Sequence, residues 1–262
     1  MAGMPQKNKS TPGVNAHVDH VYVVTVRTFK DRIRHIQREM ALHHIKFSFF
    51  YEDFTPNLER DLIQKFNTDM PRGYKANVLQ HIAMWREAVA KGYKRILVFE
   101  DDVILHRHFR QHFNALMPEV LQLKADSILF LGGSDTKVPE DFFMTKSLIY
   151  PLPIATSEGL LMDIAGIKRR LRYVDRHKIH LPIDHLIAHI DKVDHAQSFW
   201  SCSALTFQAS IMGTLRTKFD RHRLKHSQTF NALRYYWHRF QRRQARAHLV
   251  RLKHALIRLI TG

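Results

Sequence analysis

The stretch that most limits what this chain can fold into is Arg95–Val103, R-I-L-V-F-E-D-D-V. Ile96, Leu97, Val98 and Phe99 are consecutive and apolar, two of them β-branched and one aromatic. So short a run suits a strand covered on both faces. Such a strand belongs in the middle of an α/β sheet, where ligands gather just past the carboxyl ends of the strands. That end carries Glu100, Asp101 and Asp102. Three adjacent carboxylates repel one another and, once partly withdrawn from water, call for a compensating positive charge. A hard divalent ion, Mg²⁺ or Mn²⁺, suits carboxylate oxygens; a plain acidic surface turn is the alternative. Alternation along an extended backbone predicts Glu100 and Asp102 on one side, with room left for a diphosphate, and Asp101 on the other.

The flanking pattern supports a layered α/β body. His20–Val26 reads as a strand and Phe29–His43 as a helix with Ile33, Ile36 and Met40 on one stripe. Lys46–Tyr51 reads as a second strand, which makes a βαβ opening and argues for a parallel sheet. The pattern predicts helices over Pro56–Asp69 and Ala76–Lys91, broken between them by Pro71, Arg72 and Gly73. Gly92 ends the second of these. A short helix near Arg107–Met117 and a buried strand at Ser127–Leu131, closed by Gly132 and Gly133, follow. The region Pro151–Ile154 looks irregular, Leu160–Ile164 is short and apolar, and Gly166–Arg176 is helical. Pro182 introduces a helix with Asp184 in its first turn, where an acid pairs favourably with the helix dipole. Phe199–Gln208 reads as one late extended segment.

Charge divides the chain. The net charge is +17, and residues 216–262 hold thirteen Lys and Arg against one acid, Asp220. The basicity is therefore a property of the tail. Phe230, Leu233, Trp237, Phe240, Leu249, Leu252, Leu256 and Leu259 recur there at helical spacing among arginines. A long basic amphipathic helix of this kind suits an anionic membrane surface; the alternative is an apolar stripe packed on the body. No apolar run approaches the ~20 residues that span a bilayer. Residues 1–14 are polar and lack the apolar core of a secretory signal, and are expected to be a disordered lead. Cys202 is the only cysteine, so no intrachain disulfide forms, which fits a reducing compartment.

Four stretches in order resemble glycosyltransferase family twenty-five, the lipopolysaccharide-biosynthesis glycosyltransferases. They are the strand Val21–Val26 followed by Asp31-Arg32, the helix Gly73–Trp85 with Gln80-His81, F-E-D-D-V at 99–103, and P-I-D-H at 182–185 followed by a segment ending Gln208-Ala209-Ser210. The likeness covers about residues 18–213. Departures from the family pattern are Thr25-Val26, Asn77, Gln80 and Ala209. The resemblance implies a GT-A-like α/β fold, a mixed, mainly parallel sheet flanked by helices. It implies a nucleotide-sugar donor, a UDP-sugar, with Mn²⁺ or Mg²⁺ held by Glu100 and Asp102, and inversion at the anomeric carbon. Asp184 is then the candidate base. Arg27, Asp31, Arg32, His81, Asp101 and Gln208 are the candidates on the donor side.

The expected organisation is a disordered lead over residues 1–17, a GT-A-like catalytic domain over 18–215 and a basic helical tail over 216–262. The expected partners are the donor, a glycan or glycolipid acceptor and an anionic membrane on its cytoplasmic face, as in bacterial surface-glycan synthesis. No nucleic acid is expected, because the tail's aromatics sit on its apolar stripe and not among its charges. A nucleic-acid-binding protein and a catalytically inactive transferase-like scaffold are the competing readings.

Overall fold

A computed structural model of the chain describes residues 12–51, 60, 64–67, 69–152, 156–216 and 224–261. In chain order the strands are β1 (His20–Thr25), β2 (Ser48–Tyr51), β3 (Arg95–Glu100), β4 (Val103–Leu105), β5 (Ile128–Phe130), β6 (Ile149–Pro151), β7 (Gly159–Asp163), β8 (Ser198–Ser201) and β9 (Thr206–Gln208). The helices are α1 (Lys30–Leu42), α2 (Arg72–Ala90), α3 (Phe109–Val120), α4 (Ile164–Arg176), α5 (Ile183–Val193), α6 (Gln228–Arg239) and α7 (Arg246–Thr261).

The main sheet runs β2-β1-β3-β7-β5-β8-β6. β2, β1 and β3 are parallel, β7 is antiparallel to both of its neighbours, β8 is parallel to β5, and β6 closes the edge antiparallel. Five of the seven strands therefore share one direction, and the fold is a mixed, mainly parallel sheet flanked by helices, as expected. The central position of β3 follows from its sequence, since Ile96 to Phe99 are all buried. Strand alternation sends Ile96 and Val98, with Tyr22 and Val24 of β1, into one core beside Trp85, Phe130 and Trp200. Leu97 and Phe99, with Val21 and Val23, enter the other beside Phe109 and Phe113. Each such side chain contributes roughly 1.5–3 kcal/mol by leaving water, so strand register is fixed from both faces.

Several expectations are corrected. α2 begins at Arg72, directly after Pro71, and so includes Arg72 and Gly73, two of the three residues expected to separate it from the helix before. Proline is compatible with the start of a helix, and its ψ of 142° turns the chain into the first turn. Gly92 ends that stretch in the left-handed region at φ +68°, as glycine should. Ile149–Pro151 is a strand that overlaps the region expected to be irregular, Pro151–Ile154, at Pro151 alone; residues 153 and 154 of that region lie outside the described residues. The late extended segment is two strands in two different sheets, β8 and β9. Of the lead expected over 1–17, residues 1–11 lie outside the described residues, and residues 12–17 join the body: Val14 is buried in the second core and Asn15 bonds the Lys46 backbone both ways. Most of the helix expected over Pro56–Asp69 lies outside the described residues; Phe66 forms a parallel bridge with Ile179.

The tail is two helices joined by a π-helical turn at Phe240–Ala245, and α6 and α7 both contact the body. Tyr235 and Val250 are buried. The hydroxyls of Ser134 and Tyr235 share a hydrogen bond of 2.5 Å. The Arg243 guanidinium stacks 4.2 Å from the Trp200 ring and donates to the carbonyls of Ser134 and Gly133. The tail, which the sequence left open as membrane-bound or packed on the body, is docked on the body through these side chains. Leu233, Trp237, Leu249, Leu252, Leu259 and Ile260 are more than half exposed. Among the described residues no helix is long and apolar enough to cross a membrane.

Candidate active site

β1 and β3 are parallel and in register, with Val24 opposite Glu100, so their carboxyl ends open at the same level. β3 stops at Glu100, and Asp101 and Asp102 form a turn before β4. The strand alternation expected across 100–102 therefore does not apply. All three carboxylates line one cavity of about 230 Å³. Two short strands complete its rim. β4 pairs antiparallel with β9, which puts Gln208 opposite Val103, and the Ala209 N–H donates to the Asp102 carbonyl at 2.7 Å. On the far side, Pro182 turns the chain into α5, and Asp184 in its first turn also lines the cavity. One Asp184 carboxylate oxygen accepts from the His185 N–H at 2.8 Å, which holds the side chain at the helix start.

The three acids are in different situations. Asp101 is buried and accepts from the Thr25 hydroxyl at 2.6 Å and from the Arg32 guanidinium at 2.5 Å. Burial pushes its pKa up to about 6; the like charge of Asp102 adds to that, while Arg32 and Thr25 oppose it. Asp102 is 1% exposed; its Oδ2 lies 3.4 Å from Arg32 and its Oδ1 has no partner. Glu100 is partly exposed and is met from beneath by the His81 Nε2 at 3.3 Å. Burial works against the Arg32 charge, yet Asp102, Asp101 and Glu100 hold its pKa above the ordinary value. Some of the compensation that the acidic run demanded thus comes from a side chain of α1.

Of the residues singled out from sequence, Arg32, Glu100, Asp101, Asp102, Asp184 and Gln208 share the cavity wall. Arg27, Asp31 and His81 are not on it. Arg27 stacks 4.3 Å from the Tyr51 ring. Asp31 sits in the first turn of α1. His81 is fully buried beside Trp85 and reaches the cavity only through Glu100. Gln80 serves the frame of the cavity in a way that sequence reasoning missed. Its amide donates to the carbonyls of Thr25 and Phe50, tying α2 to the ends of β1 and β2. Its place next to His81 in a helix that feeds β3 was the only available signal.

A divalent ion can be weighed against this donor set. The partnerless, buried Oδ1 of Asp102 is an oxygen awaiting a cation or a donor. Four carboxylates face one cavity, and Arg32 already engages two of them. Yet among the described residues no group of three or more His, Cys, Asp or Glu side chains is arranged to hold an ion. The residues fit an ion that takes two carboxylates from the protein and the rest of its ligands from phosphate and water, the usual habit of Mg²⁺ at nucleotide sites.

Residues 18–142 match the family model described as glycosyltransferase family 25, lipopolysaccharide biosynthesis protein. Over these residues, just under half of its length, the chain is similar to glycosyltransferase family 25. A putative glycosyltransferase of Haemophilus influenzae is 26% identical over 182 residues, 64% of this chain and 62% of that protein. The lipooligosaccharide biosynthesis protein lic2B of Haemophilus influenzae is 32% identical over 90 residues, 32% of this chain and 34% of its own length. A rat protein named as a probable inactive glycosyltransferase 25 family member 3 is 30% identical over 122 residues, 45% of this chain and 21% of its own. The chain thus spans less than two thirds of each of these relatives. The family match covers β1 through β5 and therefore the acidic end of β3; Asp184 and Gln208 lie beyond it.

Proposed function

We propose that this chain is a member of glycosyltransferase family 25 and a metal-dependent inverting glycosyltransferase that moves a sugar from a UDP-sugar to a glycan or lipid-linked saccharide acceptor, as in lipopolysaccharide synthesis. The observation that carries the reading is the shared cavity: the acidic end of β3 on one wall, Asp184 on another, and a buried Asp102 oxygen with nothing bonded to it. A diphosphate brought into four carboxylates is repelled unless a cation accompanies it. Glu100 and Asp102 would hold Mn²⁺ or Mg²⁺ together with the donor, and the bound ion would act as a Lewis acid on the diphosphate.

The remaining work falls to side chains of the chain. Asp184 accepts the proton of the acceptor hydroxyl as that oxygen bonds to the anomeric carbon, while the bond from that carbon to the diphosphate oxygen breaks. The sugar becomes oxocarbenium-like in between, and nearby carboxylates favour that charge. Arg32 and Thr25 fix Asp101 under the donor end, and His81 holds Glu100 in place. Gln208 reaches the cavity opposite Val103 and contacts donor or acceptor hydroxyls.

The test is a screen of nucleotide sugars for Mn²⁺-dependent turnover, with release of the nucleoside diphosphate as readout. Turnover of a UDP-sugar that chelation abolishes, and that falls at least about 100-fold in Asp102→Asn, supports the reading. Nucleotide-sugar binding without turnover favours the inactive scaffold; the rat relative is itself named as probably inactive.

We also propose that the tail seats the enzyme on anionic lipid. Its polar face is docked on the body, and its exposed apolar face, Leu233, Trp237, Leu249 and Leu252 among others, lies between arginines. Each base near an anionic surface contributes about 1 kcal/mol. Flotation with anionic vesicles should carry the wild-type chain, and a Leu233→Ser, Trp237→Ser, Phe240→Ser variant should stay behind. Equal flotation of the two would refute the seat.

A further inference from the structure

The catalytic cavity does not end at its own rim. Ser210, two residues past Gln208, lines both that cavity and a second depression of about 230 Å³ that also holds Arg216 and Asn231. Asn231 in turn lines a third, of about 110 Å³, with Asp135, Arg234, Tyr235 and His238. The first and second adjoin at Ser210 and the second and third at Asn231, so the three are strung in a row as a polar track. It starts beside the Asp102–Ala209 hydrogen bond and follows one face of α6. We infer that this track is the acceptor subsite and that it takes a saccharide carrying anionic groups, phosphate or carboxylate. The inference rests on the transferase reading of the cavity and names the acceptor class for it.

The charge of the track supports that class. Among the described residues its lining carries Arg216 and Arg234 and the imidazoles of His226 and His238, against one acid, Asp135. The donor cavity has the opposite balance, four carboxylates to one arginine. A chain of sugars with anionic groups is thus drawn along the track and kept from sliding into the acidic end, which leaves that end to a donor arriving with its cation. Arginine forks match phosphate and carboxylate in two-point hydrogen bonds, and the serine and amide side chains suit sugar hydroxyls.

α6 gives the track an orientation. Asn231, Arg234, Tyr235 and His238 follow i, i+3, i+4 and i+7 and lie on one side of the helix. Leu233, Trp237 and Phe240, spaced i, i+4 and i+7, lie on the opposite side and are exposed. One helix therefore walls the acceptor track with one face and turns an apolar face outward with the other. An acceptor rooted in a lipid surface fits that geometry.

The full chain, with UDP and Mn²⁺ present, is titrated by calorimetry at about 0.1 M salt, where screening reaches over ~10 Å. Three probes are used: a bis-phosphorylated glucosamine disaccharide, its dephosphorylated form, and a hexuronate-containing disaccharide. At least about tenfold tighter binding of a charged probe than of the neutral one is expected; the phosphate and uronate arms tell which anion is meant. The double variant Arg216→Gln, Arg234→Gln should bind charged and neutral probes alike. Arg216→Lys, Arg234→Lys, which keeps the charge, should retain most of the preference, and its retention also answers the objection that the Gln pair is merely misfolded. No preference in the wild type, or a preference that survives the Gln pair, overturns the inference. So does tighter binding of a single-stranded oligonucleotide than of the phosphorylated sugar. Should UDP fail to bind while the arginine-dependent preference stands, the transferase reading falls and the track does not. Should UDP and Mn²⁺ bind without any preference among the sugars, only the track falls.

Discussion

At the scale of single residues, the cavity is a balance between buried charge and its partners. Arg32 is 7% exposed and is the cation joined to both Asp101 and Asp102. Removing it leaves two adjacent buried carboxylates uncompensated, a change that costs about 3 kcal/mol or more. Arg32→Met should therefore lower stability by that amount in urea unfolding; a loss under ~1 kcal/mol would mean that solvent already screens the pair. Glu158 is a second such case, outside the proposed chemistry. It accepts from the Gly133 N–H at 2.7 Å and from the Thr156 hydroxyl. Gly132 leaves room for it, since a Cβ there would fall on the carboxylate. Burial pushes the Glu158 pKa from 4.5 up to about 7. Between those values the folded chain keeps a proton that the unfolded chain has released. Stability therefore falls as pH rises from about 4.5 to about 7 and is flat above, by on the order of 1–3 kcal/mol. Subtracting the stability profile of Glu158→Gln from that of the wild type should isolate this decline; a difference independent of pH would show that Glu158 ionises normally.

At the scale of elements, the most legible feature was the one with the fewest alternatives. Four apolar residues running into acids could only be a central strand, because both faces had to be covered and the acids had to emerge at its end. The same logic found β1, β2 and the start of α5. What stayed hidden depends on pairing at a distance. β4 and β9 are three residues each, too short to show a period, and they exist because they pair with each other. Without them nothing in the sequence says why Gln208 should sit by Asp102. Arg32 read as a donor contact because no local pattern reveals that α1 carries it over the acidic turn. The tail read as either docked or free, since its amphipathic period does not say which face meets the body. Arg243 decides that: it stacks on Trp200 at 4.2 Å and Phe142 at 5.0 Å and clamps two carbonyls of the loop after β5. Burial pushes its pKa down to about 10. Arg243→Ala removes a cation–π contact and leaves two carbonyls to find water, together about 2 kcal/mol. Protease nicking of the tail should accelerate accordingly; an unchanged nicking rate would mean that Tyr235 and Val250 suffice to hold it.

At the scale of the whole molecule, donor cavity, acceptor track and outward apolar face follow one another from the middle of the sheet to the end of the chain. That order has a consequence for truncation. Cutting after residue 216 removes Tyr235, Asn231 and Val250, all buried, together with the wall of the track. Such a truncation should lower the unfolding temperature as well as vesicle binding, whereas the exposed Leu233, Trp237 and Phe240 substitutions should lower vesicle binding and leave stability within about 0.5 kcal/mol. The claim on which all of this depends is that the acidic end of β3 receives a cation together with a donor diphosphate. Electron paramagnetic resonance of free Mn²⁺, read with and without UDP in the wild type and in Asp102→Asn, tests it most directly. The result expected is weak Mn²⁺ uptake by the wild type alone, at least about tenfold tighter uptake once UDP is added, and no such gain in Asp102→Asn. Mn²⁺ uptake indifferent to UDP, or a UDP-dependent gain that survives the loss of the Asp102 charge, would contradict it.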